Sequence, residues 1–473
     1  MKKSLQIIYT TAFLALCAAP LAFIPLTQTD STSENRQLSQ MPEFLEEDGS
    51  INLNWSSRFE TYFSEHFAFR PQLVTLDSLI KSEVFKTSSS EKVIVGSSDW
   101  LYFAETLPDY TGENAMSERK LYNTAKTIAL MQEHFENDGR KFLYFTAPNK
   151  NSVYPENMPK RYVRSSQPSN RERLAKKLDE LGVNHIELAP IFSQCGHTLY
   201  LERDSHWTNE GALVAFNAAA DALGMAHDDF AYASHCTQKV WHSDLDGMLF
   251  PSYERLSEQE VYDIDFTFDY RSEFVSEDDM MIKTKGPGEE TLLMYRDSFG
   301  RAFYPFAAEN TAKASFSRAV PYKTELADEL DAQNVILEIV ERNLANISKD
   351  SPIMTAVSRD MDVSASIEES DKNICEVSDK GKNIRIYGVL DEKYFADNSD
   401  IYITLETDGA VYAYEAFPVY ESELLEDPDG ENDYAFSLRL GKDEIPAGDY
   451  EIFAYVEKNG EYICTQPLAE LSL

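Results

Sequence analysis

The sequence predicts an α/β domain built on a mainly parallel sheet, followed by a small all-β sandwich. Two patterns and the chain length carry that prediction. From about residue 116 to 345, short apolar runs alternate with amphipathic helical segments, as parallel strands do when helices cross over between them. Beyond about residue 365 the helical period stops, and short runs rich in β-branched and aromatic residues follow, divided by Asp, Gly and Asn, the pattern of a sandwich. At 473 residues the chain exceeds one ordinary domain.

The chain opens with Lys2 and Lys3, then an uncharged, mostly apolar run from Ile7 to Leu26. A spanning helix needs roughly 20 such residues, so residues 1–27 read as a signal anchor. With the two lysines held inside, everything after Thr27 faces the extracytoplasmic side of a cell membrane. Cleavage is the alternative and would make the protein secreted. The small-x-small exit it needs, around Ala19 and Ala22, is interrupted by Pro20.

A polar tether covers residues 28–50, and the α/β domain is assigned to 28–365. In "WSSRFETYFSEHFAFRPQLV" the positions Phe59, Tyr62, Phe63, Phe67, Phe69 and Leu73 recur near helical spacing. "VIVGSSDWLYF" reads as two short strands around a Gly-Ser-Ser turn. A helix follows to Gly139, then the strand "KFLYFTA" stopped by Pro148, a helix to Gly182 and the strand "VNHIELA". "TLYLERDSHW" reads as a short extended stretch. The next helix carries an apolar stripe of Ala212, Leu213, Phe216, Ala220 and Leu223, with Thr208 as its N-cap. Residues 225–288 show no period, and "TLLMY" and "NVILEIV" are two further strands. The runs "NIRIYGVL", "DIYITLET" and "YEIFAYVE" exemplify the sandwich, assigned to 366–473.

A formal charge of −38, from 81 acids against 43 bases, excludes a nucleic-acid partner, which needs clustered Lys and Arg. Of the five cysteines, Cys17 lies in the apolar run. Cys195 with Cys236 and Cys375 with Cys464 would make one disulfide per domain, and isolated buried thiols are the equal alternative. No Cys or His spacing matches a zinc site, so neither a metal nor a cofactor is expected. The acidic "EDPDGENDY", 426–434, is a hairpin turn rather than a Ca²⁺ loop, because Gly430 falls too early. Glu338, Glu341 and Arg342 at the end of "NVILEIV" read as an ion-pair network.

The chemistry concentrates in two segments. In "RDSHW", Asp204 and His206 are two apart, so on an extended backbone they share a side. The carboxylate would then fix the imidazole tautomer and leave Nε2 free as a base; a solvated helix cap is the alternative. In "YRDSFG", Ser298 follows an apolar strand in a turn with Gly300, the geometry that lifts a nucleophile from a sheet edge.

These motifs resemble the DHHW family and the related AlgX/AlgJ-type alginate O-acetyltransferases. "ENRQLSQMPEF", "YFSEHFAFR", "VGSSDWLYF", "APNKNSVYPENMP" and "LEIVERNL" occur in the same order, so the resemblance spans about residues 34–345. It implies an SGNH-hydrolase-like, flavodoxin-like three-layer domain, permuted so that Asp-x-His precedes the serine. It further implies a catalytic triad of Ser298, His206 and Asp204 that forms an acyl-serine and passes acetyl to a polysaccharide hydroxyl. A separate multi-pass membrane acyltransferase would relay the acetyl donor, and the sandwich would be a candidate carbohydrate-binding module. The Ser298 amide, Asn149, Arg301 and Tyr304 are candidate oxyanion or substrate contacts, and Trp207 would wall the site. Two positions depart from the family. Arg296 replaces the glycine before Asp-Ser. Ser205 replaces the second histidine, with its side chain expected to point away. Arg296 is the best argument for the rival reading, a non-catalytic envelope protein that binds glycan; a carbohydrate acetylesterase would use the same triad with water.

Overall fold

The computed structural model describes residues 2–23, 38–46, 48–253, 255–361, 365–407, 409–420 and 432–473. The expected tether up to residue 37 and most of segment 426–434, expected to be a hairpin turn, lie outside them. Helix α1 spans Lys2–Phe23, and among the described residues no helix is long and apolar enough to cross a membrane. The aromatic segment forms α2 (Trp55–His66) and α3 (Arg70–Val84). The predicted hairpin pairs β1 (Val93–Val95) with β2 (Leu101–Phe103).

The α/β layers then follow in order: α4 (Leu107–Thr111), α5 (Glu118–Asn137), β3 (Lys141–Ala147), α6 (Lys150–Val153), α7 (Asn170–Glu180), β4 (His185–Glu187), α8 (Leu188–Gln194) and α9 (Asn209–Leu223). Next come β5 (His235–His242), α10 (Asp244–Leu249), β6 (Leu256–Tyr262), β7 (Asp269–Tyr270) and β8 (Met281–Lys285). The domain closes with β9 (Thr291–Tyr295), α11 (Gly300–Glu309), β10 (Lys313–Ser317), α12 (Glu325–Leu330) and β11 (Asn334–Val340). The central sheet has the order β4-β3-β11-β9-β10-β8-β7. Its first five strands are parallel, and β8 and β7 add an antiparallel edge.

Burial on both faces explains why β3 is apolar without alternation. Leu143 and Phe145 point into the core under α9 and α11, with Phe216, Met294 and Phe303. Phe142 and Tyr144 point the other way, into the core under α5 and α7, with Leu121, Ile128 and Leu174. The domain is therefore a three-layer α/β sandwich. Residues 358–472 build two further sheets, one of seven strands and one of four, packed around Ile386, Ile403, Leu438 and Ile452. The four-stranded sheet seats Phe417, Val419 and Ala435 against the α5 core. Ion pairs from Lys126 to Asp400 (3.0 Å) and from Arg359 to Glu133 (2.6 Å) cross the same junction.

The structure corrects the sequence reading in three places. Residues 225–288 are not irregular: β5 and β6 form a two-stranded ribbon, whose first strand "HCTQKVWH" is exposed almost throughout and so shows no buried alternation. "TLYLERDSHW" is a tight reversal rather than an extended stretch, joined by a single bridge between Tyr200 and Trp207. Cys195, Cys236, Cys375 and Cys464 are free thiols, not two disulfides. Cys236 is exposed on the ribbon, while Cys195 closes α8 and donates to the Ile191 carbonyl. Cys375 packs on the sandwich interior, whereas Cys464 lies on the opposite face of its strand against Phe453 and Tyr455. Alkylation of unfolded protein without reductant should label all four of these cysteines; peptide mass spectra showing either bridge would overturn the assignment.

Candidate active site

In open α/β sheets, sites form beyond the carboxyl ends of strands. Here β3 delivers Asn149 to that edge, β9 delivers Ser298, and β11 delivers Glu341 and Arg342. The Asp204–His206 loop is brought over it by α9. Thr208 caps that helix by accepting from the Gly211 amide at 3.1 Å. A Cβ at Gly211 would stand 2.5 Å from the Leu199 carbonyl oxygen, so only glycine lets the helix start this close to the loop.

Asp204, His206 and Ser298 form one hydrogen-bonded chain. His206 Nδ1 lies 2.7 Å from Asp204 Oδ1, and its Nε2 lies 2.8 Å from Ser298 Oγ. Asp204, which is 1% exposed, also accepts from the His206 amide (2.9 Å), the Trp241 indole (2.8 Å) and the Asp244 amide (2.9 Å). Burial alone would raise its carboxyl, but the His206 and Trp241 donors and the Asp244 amide outweigh that and hold it below the usual carboxylate range. Burial pushes His206 down, while Asp204 and then Asp244 push it up further, so the imidazole sits above its ordinary value.

A second acid, which the sequence reading missed, stands beside this chain. Asp244 Oδ2 is 3.7 Å from His206 Nδ1, and burial followed by the Asp204 charge raises its carboxyl. Ser205 does not point away, because the loop bends. Its hydroxyl donates to Asp244 Oδ2 (2.5 Å) and lies 3.2 Å from His206 Nδ1. Asp204, His206 and Asp244 are the one group among the described residues whose donor atoms cluster as metal ligands would. Both imidazole nitrogens are, however, committed to Asp204 and Ser298, which makes the cluster a proton network.

The other expected contacts divide. Trp207 is buried, and its indole donates to the Phe299 carbonyl at 3.0 Å; it ties the acid–base loop to the nucleophile turn and offers no donor to a ligand. Asn149 turns its carboxamide N–H to Asp109 (2.9 Å) and its amide to Glu341 (2.8 Å). Tyr304 is 3% exposed and pairs its hydroxyl with that of Tyr270 at 2.9 Å. Arg301 stacks over Trp241, 5.2 Å from the ring centroid. Among the described residues no group accepts from the Ser298 amide.

The glutamates in and directly after β11, Glu338 and Glu341, do not pair with Arg342. Glu338 accepts from the Asp297 amide at 2.9 Å, and burial with the Asp297 charge raises it well above the carboxylate range. Glu341 holds the Asn149 amide, with Arg171 Nε 3.7 Å away. Arg342 instead lies between the Phe103 and Phe299 rings, 5.3 and 5.9 Å from their centroids, with no carboxylate partner among the described residues. Its charge reaches His206. Arg296 is buried behind the turn and donates to the carbonyls of Glu277 (2.6 Å) and Asp297 (3.2 Å). The close approach has moved to Gly300, where a Cβ would meet the Arg296 side chain at 2.5 Å.

With this geometry in hand, comparison with known proteins is direct. Residues 93–275 match the family model described as "SGNH hydrolase-like domain, acetyltransferase AlgX". Over that stretch the chain is similar to an AlgX-type SGNH hydrolase-like domain. Asp204 and His206 fall inside the matched stretch, and Ser298 falls beyond it. Similar solved structures include a DHHW family protein from Eubacterium siraeum (14% identity, 48% of this chain and 87% of that one, TM-score 0.38). The O-acetyltransferase domain of Pseudomonas putida AlgJ matches at 16% identity over 54% of this chain and 92% of that one, TM-score 0.37. Pseudomonas aeruginosa AlgX matches at 14% identity over 77% of this chain and 94% of that one, TM-score 0.32. No curated protein sequence matches the chain.

Proposed function

We propose that this protein is a polysaccharide O-acetyltransferase that carries the acetyl group on Ser298. The observation that carries the reading is the placement of His206 between Asp204 and Ser298, at 2.7 and 2.8 Å. His206 Nε2 takes the Ser298 proton as Oγ attacks the acetyl carbonyl of the donor. The bond to the donor's leaving group then breaks, and that group departs with the proton from His206. In the second half, His206 deprotonates a sugar hydroxyl whose oxygen attacks the acyl carbon. Ser298 Oγ leaves and recovers the proton. Each tetrahedral intermediate needs donors in place; the Ser298 amide, which meets no acceptor among the described residues, and the Arg342 guanidinium, which has no carboxylate partner among them, would supply them. Asp204 stays ionised throughout and balances the imidazolium.

The proposal extends to where the protein works. Lys2, Lys3 and the run Ile7–Leu26 support an extracytoplasmic position beside the membrane, where a multi-pass acyltransferase would supply acetyl groups. The carboxy-terminal sandwich, fixed to α5, would hold the polymer.

The test is p-nitrophenyl acetate with the full chain, comparing wild type with Ser298→Ala and His206→Ala. Wild type should release a burst of about one p-nitrophenolate per chain, with acetyl found on Ser298 by peptide mass spectrometry. Both variants should lose the burst. Equal release from all three proteins sinks the acyl-serine mechanism.

A further inference from the structure

Beside the triad lies a cavity of about 300 Å³, walled on one side by the β5–β6 ribbon and on the other by α11. The ribbon contributes Trp241 and Tyr262, the segment after it Phe266, and α11 contributes Arg301 and Tyr304. Two of these residues belong structurally to the reaction centre. Trp241 donates to Asp204, and the Arg301 amide donates to the Ser298 carbonyl at 3.2 Å. The cavity therefore begins within one helical turn of the nucleophile. Resting on the acetyl-transfer reading above, we infer that it is the acceptor subsite, and that it takes a single uncharged pyranose residue of a glycan.

Size is the first argument. The volume stands at the lower limit of small-molecule sites, which suits one sugar ring rather than a multi-ring ligand. The lining is the second. Aromatic walls offer flat apolar area to the C–H face of a pyranose, and two charged groups line the cavity, Arg301 and Glu277. Arg301 Nε is buried with no hydrogen-bond partner, and Asp278 Oδ2 lies 3.7 Å from its Nη1. A guanidinium with free donors and a carboxylate with free lone pairs can read hydroxyls from both sides.

Charge decides the class of sugar. The cavity lining balances Arg301 against Glu277, and Asp278 beside them is paired with Arg318 at 2.9 Å. No net positive charge is left there to hold a uronate, and the chain as a whole carries −38. A polyuronate would approach against that field. A neutral or N-acetylated glycan would not.

The test uses full-length Ser298→Ala protein, which holds no acyl group, titrated calorimetrically with cellotetraose, tetra-N-acetylchitotetraose, maltotetraose and tetragalacturonate at low salt. At least one neutral tetraose should bind at least 10-fold more tightly than tetragalacturonate. Adding Tyr262→Ala or Arg301→Gln, each checked for an unchanged melting profile, should weaken that binding at least 10-fold. Preference for tetragalacturonate, absence of binding by all the neutral tetraoses, or indifference to both substitutions would overturn the assignment. Failure is separable from failure of the acetyl-transfer reading. An acyl-serine burst without tetraose binding removes the subsite alone, and tetraose binding without a burst removes the chemistry alone.

Discussion

Asp204→Asn is expected to lower the rate of Ser298 acylation by about 10⁴-fold, the scale seen when a triad acid loses its charge but keeps its shape. The hydrogen bonds explain why the amide cannot substitute. Oδ1 accepts from the His206 ring and amide, while Oδ2 accepts from Trp241 and the Asp244 amide. Asparagine offers one oxygen and one NH₂. With NH₂ at the Oδ2 position, it meets two donors that have no other acceptor. With NH₂ at the Oδ1 position, it drives the imidazole proton to Nε2, where a donor faces Ser298 instead of a base.

The pH dependence has a definite sign. His206 acts as a base only when neutral, and Asp204 raises it above its ordinary value, so wild-type acylation rises through a pH above about 6.5. Losing the Asp204 charge removes the main raising cause, and the residual activity of Asp204→Asn should rise at lower pH than wild type. Stability moves with it. The Asp204 carboxyl is depressed on folding, so it contributes stability above its unfolded value near 4, which is lost as pH falls through the folded value. The melting temperature of Asp204→Asn should therefore lie below wild type at pH 7, with the gap closing in acid. A pH–rate profile with an unmoved limb and a rate within 10-fold of wild type would reject this role.

How much of this was legible depended on the range of the interaction. Ser298, Asp204 and His206 could be read because each follows an apolar run and is a reactive residue type at a strand or helix boundary. The two sheet faces could be read at β3 and β11, where unbroken apolar runs signal burial on both sides. Asp244 could not, because it reaches His206 from 40 positions beyond Asp204, at the start of a short helix that follows a strand with no buried period. Trp241 was hidden for the same reason. Arg342 sits next to Glu341, so local sequence implied an ion pair; only the turn after β11, which sends the glutamate to Asn149 and the arginine between Phe103 and Phe299, separates them. The disulfides failed similarly. Pairing by order along the chain ignores which face of a strand each thiol occupies, and Cys464 faces away from the interior that Cys375 meets.

The largest effect on folding is expected from Lys150→Met. Lys150 is 4% exposed, and its ammonium donates to the backbone carbonyls of Leu101 (2.7 Å), Leu201 (2.7 Å), Glu202 (2.7 Å) and Asp204 (2.9 Å). The Trp100 and Tyr102 rings lie 4.9 and 5.3 Å away. One cation thus fastens the β1–β2 hairpin to the loop that carries Asp204. Methionine fills the same space but leaves the carbonyls of Leu101, Leu201 and Asp204 without that donor, while that of Glu202 keeps the Leu101 amide at 2.9 Å. Each buried carbonyl left without a donor costs about 1–3 kcal/mol, and at about 2 °C per kcal/mol, the low end of the range for large domains, the melting temperature should fall by about 10 °C. Arginine should not rescue it, because a planar fork cannot converge on carbonyls gathered around one point. Burial holds the amine at about 7, below its unfolded value. The unfolded chain therefore binds the extra proton between about pH 7 and 10, and wild-type stability gains across that window, whereas the methionine variant lacks this limb. Acylation measured well below the melting temperature should also fall, because the displaced carbonyl belongs to Asp204 itself. A variant that melts with wild type and acylates at the wild-type rate would show that the loop holds its shape without the lysine.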